Sequence, residues 1–138
     1  MNILGLDYGT KRIGLAIADE EARLATPFSI IENKSNSFVI EELGKIIVAE
    51  NINKIVVGLP LSLKEGEGNE LVSEVASFVA DLKKSLGLPV ETEDERYTSE
   101  QTRSLFAGQK NKKANKDTVA AMIILQSYLD RAYKHKSI

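Results

Sequence analysis

Three acidic positions stand where hydrophobic segments end or begin. Asp7 closes the run Asn2-Ile3-Leu4-Gly5-Leu6, Glu93-Asp94-Glu95 follows Leu88-Pro89-Val90, and Asp117 leads a long apolar stretch. Carboxylates at neighbouring element ends are what a hard divalent cation requires, because Mg²⁺ takes oxygen ligands and retains several of its waters. A cation held this way activates water and stabilises phosphoryl transfer. Each position has a plainer use as well. Asp7 suits a turn, Asp94 and Glu95 suit the exposed end of a strand, and Asp117 complements the positive end of a helix. The chemical reading rests on all three falling where one fold brings them together.

Composition narrows the alternatives. The chain has 138 residues, 43% hydrophobic and 28% charged, the profile of one ordinary globular domain spanning 1–138. It has no cysteine and a single histidine, His135, in a polar C-terminal tail. Disulfides, thiolate metal sites and cysteine nucleophiles are excluded, and a histidine triad has no basis. Catalysis must rest on carboxylates, Lys, Arg, hydroxyls or a bound metal. The first residues read as a strand rather than a signal peptide, and no stretch has the length of a membrane span, so a cytoplasmic location is expected. The formal net charge is −2, yet Lys110, Lys112, Lys113 and Lys116 cluster in a stretch without acidic residues. A local basic patch of that kind bears on nucleic-acid binding more than the total charge does.

The elements that would position these groups follow from periodicity. Residues 2–7 form a short strand, and Asp7-Tyr8-Gly9-Thr10-Lys11-Arg12 a turn. Ile13 to Ala18 is continuously apolar, as in a strand covered on both faces. Pro27 to Ile31 makes a third strand, completing an antiparallel meander. Val39, Leu43, Ile46 and Ile47 mark a helix over 36–50. Lys54 to Pro60 is a buried strand stopped by Pro60, and 62–69 a loop. Leu71, Val75, Val79, Leu82 and Leu86 pattern a helix capped by Gly87. Val90 to Glu93 is a fifth strand. Thr98-Ser99-Glu100-Gln101 fits a capping box opening a short helix. Residues 107–115 form a lysine-rich loop, and a last helix, buried at its start, runs to about Tyr133. The order β-β-β-α-β-α-β-α-α implies a five-stranded mixed sheet, a three-strand antiparallel meander plus two parallel strands, flanked by helices. Strands one, four and five should then end along one edge, where ligands of open α/β sheets bind.

These motifs, in this order, resemble the YqgF/RuvX family of the RNase H-like superfamily, assigned to pre-16S rRNA processing and also proposed as Holliday junction resolvases. The resemblance runs from Ile3 to about Tyr133. It is carried by Leu6-Asp7-Tyr8-Gly9-Thr10-Lys11 with Arg12 and Gly14, by Val57-Gly58-Leu59-Pro60, and by Asp94-Glu95-Arg96-Tyr97-Thr98-Ser99. Asp117 leading Ala120-Ala121 and Ile123-Ile124-Leu125-Gln126-Ser127-Tyr128-Leu129 completes it. Two positions depart from the usual pattern: Tyr97 stands where leucine is common, and Lys116 stands where the family often has an apolar residue.

The resemblance implies that Asp7, a carboxylate of the Asp94-Glu95 pair, and Asp117 hold catalytic Mg²⁺ or Mn²⁺ in a two-metal site. Strand parity favours Glu95, which shares a face with Glu93, and Asp94 stays open as the alternative. The chemistry implied is phosphodiester hydrolysis, with metals about 3.5–4 Å apart on the scissile phosphate. Arg96 would contact phosphate or order Glu95. Lys11, Arg12, Lys110, Lys112, Lys113 and Lys116 would track the nucleic-acid backbone. The substrate would be structured RNA during ribosome maturation, or a four-way DNA junction, and the chain a monomer or a homodimer. Two other readings compete. A nucleotide-binding ATPase of the actin and sugar-kinase type shares the Asp-x-Gly turn but needs two such domains and a second phosphate loop. A silent RNA- or ribosome-binding module would need only the basic loop. The aromatics Tyr128 and Tyr133 are the one hint of a dimer face, and they equally suit a core.

Overall fold

In the computed structural model, which describes residues 1–59, 69–94 and 116–133, eight elements follow the expected order. They are β1 (Asn2–Asp7), β2 (Arg12–Asp19), β3 (Ala25–Glu32), α1 (Asn36–Ala49), β4 (Ile52–Leu59), α2 (Asn69–Leu86), β5 (Val90–Asp94) and α3 (Lys116–Ala132). The strands form one sheet in the order β3-β2-β1-β4-β5. The meander is antiparallel, while β4 runs parallel to both β1 and β5. The mixed five-stranded sheet read from the sequence is therefore the fold. The loop over 62–69, up to its last residue, the capping box at 98–101 and the lysine-rich loop at 107–115 lie outside the described residues, as does Pro60.

Alternation along the strands divides the side chains by size. Leu4, Leu6, Ile13, Leu15, Ile55 and Val57 face α1 and α2, where they bury Val39, Leu43, Phe78 and Leu82. The opposite face carries Ile3, Ala16, Ala18, Ala25 and Val56 against Ala121, Leu125 and Leu129 of α3. Large residues build one layer and small ones the other. Helix α3 consequently lies very close to the sheet. A Cβ added at Gly5 would stand 2.7 Å from Leu125 Cβ. One at Gly14 would run into the Asp117 carbonyl, and one at Gly58 into the Ile124 side chain.

Local chemistry sets the element ends. The Ser35 hydroxyl accepts from the Phe38 amide and opens α1. Gly87, at φ +66, ends α2 where the sequence placed its cap. The last helix begins at Lys116, three residues before the apolar run, because Asp117 and the buried Thr118 supply its first turn. Tyr128 and Tyr133 both make contacts within the chain. Tyr128 is buried, accepts from Lys54 Nζ at 2.9 Å and donates to Glu91 at 3.0 Å. Tyr133 donates to Glu20 at 3.2 Å and stacks under Arg23.

Two measurements test this packing. Gly14→Ala should lower stability by about 1–3 kcal/mol or more, since its methyl meets backbone that cannot yield. Gly44→Ala, mid-helix in α1 with open space around it, should raise stability by roughly 0.5–1 kcal/mol; urea titration reads both signs. The Lys54–Glu91 pair (3.0 Å) adds a pH signature. The bond to Tyr128, then that to Glu91, outweighs burial and holds Lys54 above its ordinary 10.5. Burial works to raise Glu91, but the bonds from Lys54 and Tyr128 prevail and hold it below 4.5. A depressed carboxyl stabilises above its unfolded pKa and loses that contribution as pH falls through the folded one. The raised Lys54 contributes fully below 10.5 and loses its share as pH climbs through the folded value. The margin of wild type over Glu91→Gln, within about 1 kcal/mol for so exposed a pair, should be flat between pH 4.5 and 10.5 and vanish below that window in thermal melts.

Candidate active site

Ile3, Gly5 and Asp7 alternate toward α3, so the carboxylate that ends β1 emerges at the N-terminus of that helix. Across the antiparallel ladder Asp7 pairs with Gly14. The missing side chain of Gly14 is where α3 begins: a Cβ there would lie 3.1 Å from Asp117 Cβ. Cross-strand Cβ positions are about 4.5–5.5 Å apart, so Asp7 and Asp117 lie near one another on the α3 side of the sheet. Gly14 is the residue that lets two positions 110 apart in sequence approach. Oxygen-only donors around a cleared space fit Mg²⁺ or Mn²⁺. Among the described residues no third Asp, Glu or His completes a cluster, so further ligands must come from elsewhere in the chain or from water.

The turn between β1 and β2 is held by Asn33, a residue the sequence reading did not single out. Its side-chain amide donates to the Gly9 carbonyl at 2.9 Å, and its backbone amide to the Lys11 carbonyl at 2.9 Å. Gly9 is required because any Cβ would strike the Arg12 carbonyl. Arg12 shares the α3 face with Gly14, Ala16 and Ala18, and its Nε donates to Asp117 Oδ2 at 2.8 Å. The pair is largely open, with Arg12 58% and Asp117 24% exposed. An exposed pair of this kind contributes about 0–1 kcal/mol.

On β5 Glu93 and Asp94 separate. Gly58 of β4 pairs with Glu93, which is fully buried on the α3 face. Its carboxylate accepts from Ser127 Oγ at 2.9 Å and from Arg131 at 2.8 Å. Glu93 thus ties the fifth strand to the helix that begins with Asp117. Asp94 pairs with Leu59, which packs with the α1/α2 core, so Asp94 lies on the side away from Glu93, as parity required. Lys11 and Lys116 are exposed beside the Arg12–Asp117 pair. Glu95, Arg96, Lys110, Lys112 and Lys113 lie outside the described residues. The roles of Asn33 and Glu93 had no signal beyond an Asn after a strand and an extra acid in an acidic run.

The family model described as "RuvX: Holliday junction resolvase" matches residues 1–131. A protein of Maridesulfovibrio salexigens named "Putative pre-16S rRNA nuclease" is 38% identical over 136 residues, covering 96% of this chain and 100% of the relative. A Sulfurihydrogenibium protein of the same name is 43% identical over 133 residues, covering 94% and 90%. Among solved structures, Thermus thermophilus RuvC in complex with a Holliday junction substrate superposes with a TM-score of 0.69 at 13% identity, over 99% of this chain and 96% of that one. At that identity the likeness is one of fold.

The Glu93 tether has an asymmetric energetic signature. Arg131 is 51% exposed while Glu93 is 0% exposed. Removing the arginine strands a buried carboxylate, whereas removing the glutamate frees a cation that water can receive. Arg131→Met should therefore cost about 2–4 kcal/mol and Glu93→Gln distinctly less. The double variant should be more stable than Arg131→Met alone, which equilibrium denaturation of the three proteins would establish.

Proposed function

The chain belongs to the RuvX family, and from that membership we propose that it is a divalent-metal-dependent nuclease acting on structured RNA, in the 5′-end processing of pre-16S rRNA. The observation that carries the reading is the convergence of Asp7 and Asp117 over the space left by Gly14. Two relatives that cover most of this chain bear the pre-16S rRNA nuclease name, which supports the substrate. We take residues 1–138 as one domain and place it in the cytoplasm; no helix among the described residues is long and apolar enough to cross a membrane.

In this reading Asp7, Glu95 and Asp117 are the catalytic carboxylates and the ligands of Mg²⁺ or Mn²⁺. Asp94 is set behind Glu95, because it sits on the sheet face away from Asp7 and Asp117. Bound cations supply an activated water and neutralise charge on the scissile phosphate. The protein's own contribution is placement. The end of β1 and the first turn of α3 hold two carboxylates at fixed separation, and Asn33 holds the turn that follows Asp7. Lys11 and Lys116 flank the site as exposed cations, joined by Arg12, Arg96, Lys110, Lys112 and Lys113, and they engage phosphates rather than bases. Binding should therefore fall steeply with salt while reading little sequence.

Cleavage of four-way DNA junctions is the second reading, favoured by the description of the matching family. It requires two sites acting in a symmetric dimer. A non-catalytic RNA- or ribosome-binding module is the third. Labelled precursor rRNA and four-way DNA junctions incubated with Mg²⁺ or Mn²⁺ separate them. Asp7→Asn and Asp117→Asn should each reduce cleavage by more than about a hundredfold, beyond the effect of losing a group that only orients a ligand, while leaving binding intact. Faster cutting of the junction than of the RNA would transfer the assignment to the resolvase, and binding without metal-dependent cutting would leave the third reading.

A further inference from the structure

We propose that Arg12 is an exchangeable counter-ion of the site: its guanidinium and a divalent cation alternate on Asp117. The inference rests on the reading of Asp7 and Asp117 as cation ligands, and it concerns what happens to those carboxylates between loaded states. Asp7 and Asp117 lie near one another, and a partner that is always positive eases the approach of two negative side chains. Arg12 meets that description, since its guanidinium keeps its charge at every relevant pH. It reaches Asp117 through Nε alone, at 2.8 Å onto one oxygen. A permanent arginine anchor on a carboxylate more often uses the two-point fork that the guanidinium offers.

The surroundings favour exchange over a fixed role. Arg12 is well exposed, so releasing it buries nothing and strips no packing from the core. Its backbone is held independently of its side chain, because it opens β2 and Asn33 pins the preceding turn at Gly9 and Lys11. Only the side chain has to move. Once released, the guanidinium is exposed, as are Lys11 and Lys116, its neighbour and that of Asp117 in sequence, and it is free to meet an arriving phosphate. Guanidinium binds phosphate in the same two-point geometry it forgoes at Asp117. One residue would then stabilise the site before loading and meet the substrate after it.

The test is isothermal titration of Mn²⁺, and separately Mg²⁺, into the full chain at low ionic strength. Wild type is compared with Arg12→Gln, Arg12→Lys and Lys11→Gln, each first checked for a native thermal transition. Exchange predicts that Arg12→Gln binds the metal roughly three- to fivefold more tightly, the upper part of the range such a pair converts to. It also predicts a lower melting temperature for Arg12→Gln without added metal, with much of the deficit recovered when the metal is present. Arg12→Lys should stay near wild type, and Lys11→Gln should gain clearly less than Arg12→Gln. Metal binding by Arg12→Gln that is equal to or weaker than wild type would overturn the inference and make Arg12 a support for the ligand. An equal gain in Lys11→Gln would overturn it too, by reducing the effect to net charge. Absence of metal uptake by any of the proteins would remove the underlying reading and the exchange together, an outcome distinct from wild type binding normally while Arg12→Gln shows no gain.

Discussion

Helix α3 can lie where it does because three glycines leave the sheet bare at its closest approaches. Gly5 on β1, Gly14 on β2 and Gly58 on β4 are neighbours across three strands, and each stands beneath a different part of the helix. Alanines 16, 18 and 121 extend the shallow surface. Close packing forfeits no contact, because backbone and Cβ atoms replace the missing side chains at van der Waals distance. The reward is positional. A helix seated on backbone has far less latitude than one resting on flexible leucines, and the residue at its head, Asp117, inherits that precision. The opposite face, filled with Leu, Ile, Val and Phe78, supplies the bulk of apolar burial.

Small residues alone would let a helix slide along its groove, and polar tethers at its far half prevent this. Gln126 accepts from the Ala25 amide and donates to the Arg23 carbonyl, fixing α3 to the β2–β3 turn. Tyr128 meets Lys54 of β4 and Glu91 of β5. Ser127 and Arg131 hold the buried Glu93. These bonds reach three separate strands or turns, so a shift of one residue along the helix would break all of them and strand buried polar atoms. Hydrophobic burial makes the layer stable, and the tethers select one register from several of similar apolar content. The same register sets Asp117 over Gly14.

Much of this was legible in the sequence because it is local. The end of its hydrophobic run placed Asp7 at the edge of the sheet, and strand parity divided Glu93 from Asp94. What escaped was non-local. Nothing in the neighbourhood of Asn33 says that it reaches back over twenty residues to the turn after Asp7. Glu93 looked like one acid among three, because burial of a carboxylate depends on a cation, Arg131, 38 positions away. Tyr128 and Tyr133 suited a dimer face and a core equally, and nothing local showed that their hydroxyls reach Glu91 and Glu20. Periodicity shows which face a residue takes, whereas a polar partner across the sheet leaves no trace in it.

The arrangement also separates what is fixed from what can move. Asp7 ends a central strand and Asp117 opens a helix seated on backbone, so neither acid can retreat from the other. Where both are charged they repel, and positive charge beside them eases that. Among the described residues Arg12 bonds Asp117 and Lys11 and Lys116 adjoin that pair in sequence, all three as exposed side chains. Acids set in rigid backbone and bases set on mobile stems make a site whose geometry is constant while its charge balance is adjustable. That is the division a phosphodiester-cleaving centre requires: the carboxylates must hold their separation through turnover, and the basic groups must follow a substrate that arrives, changes charge and departs.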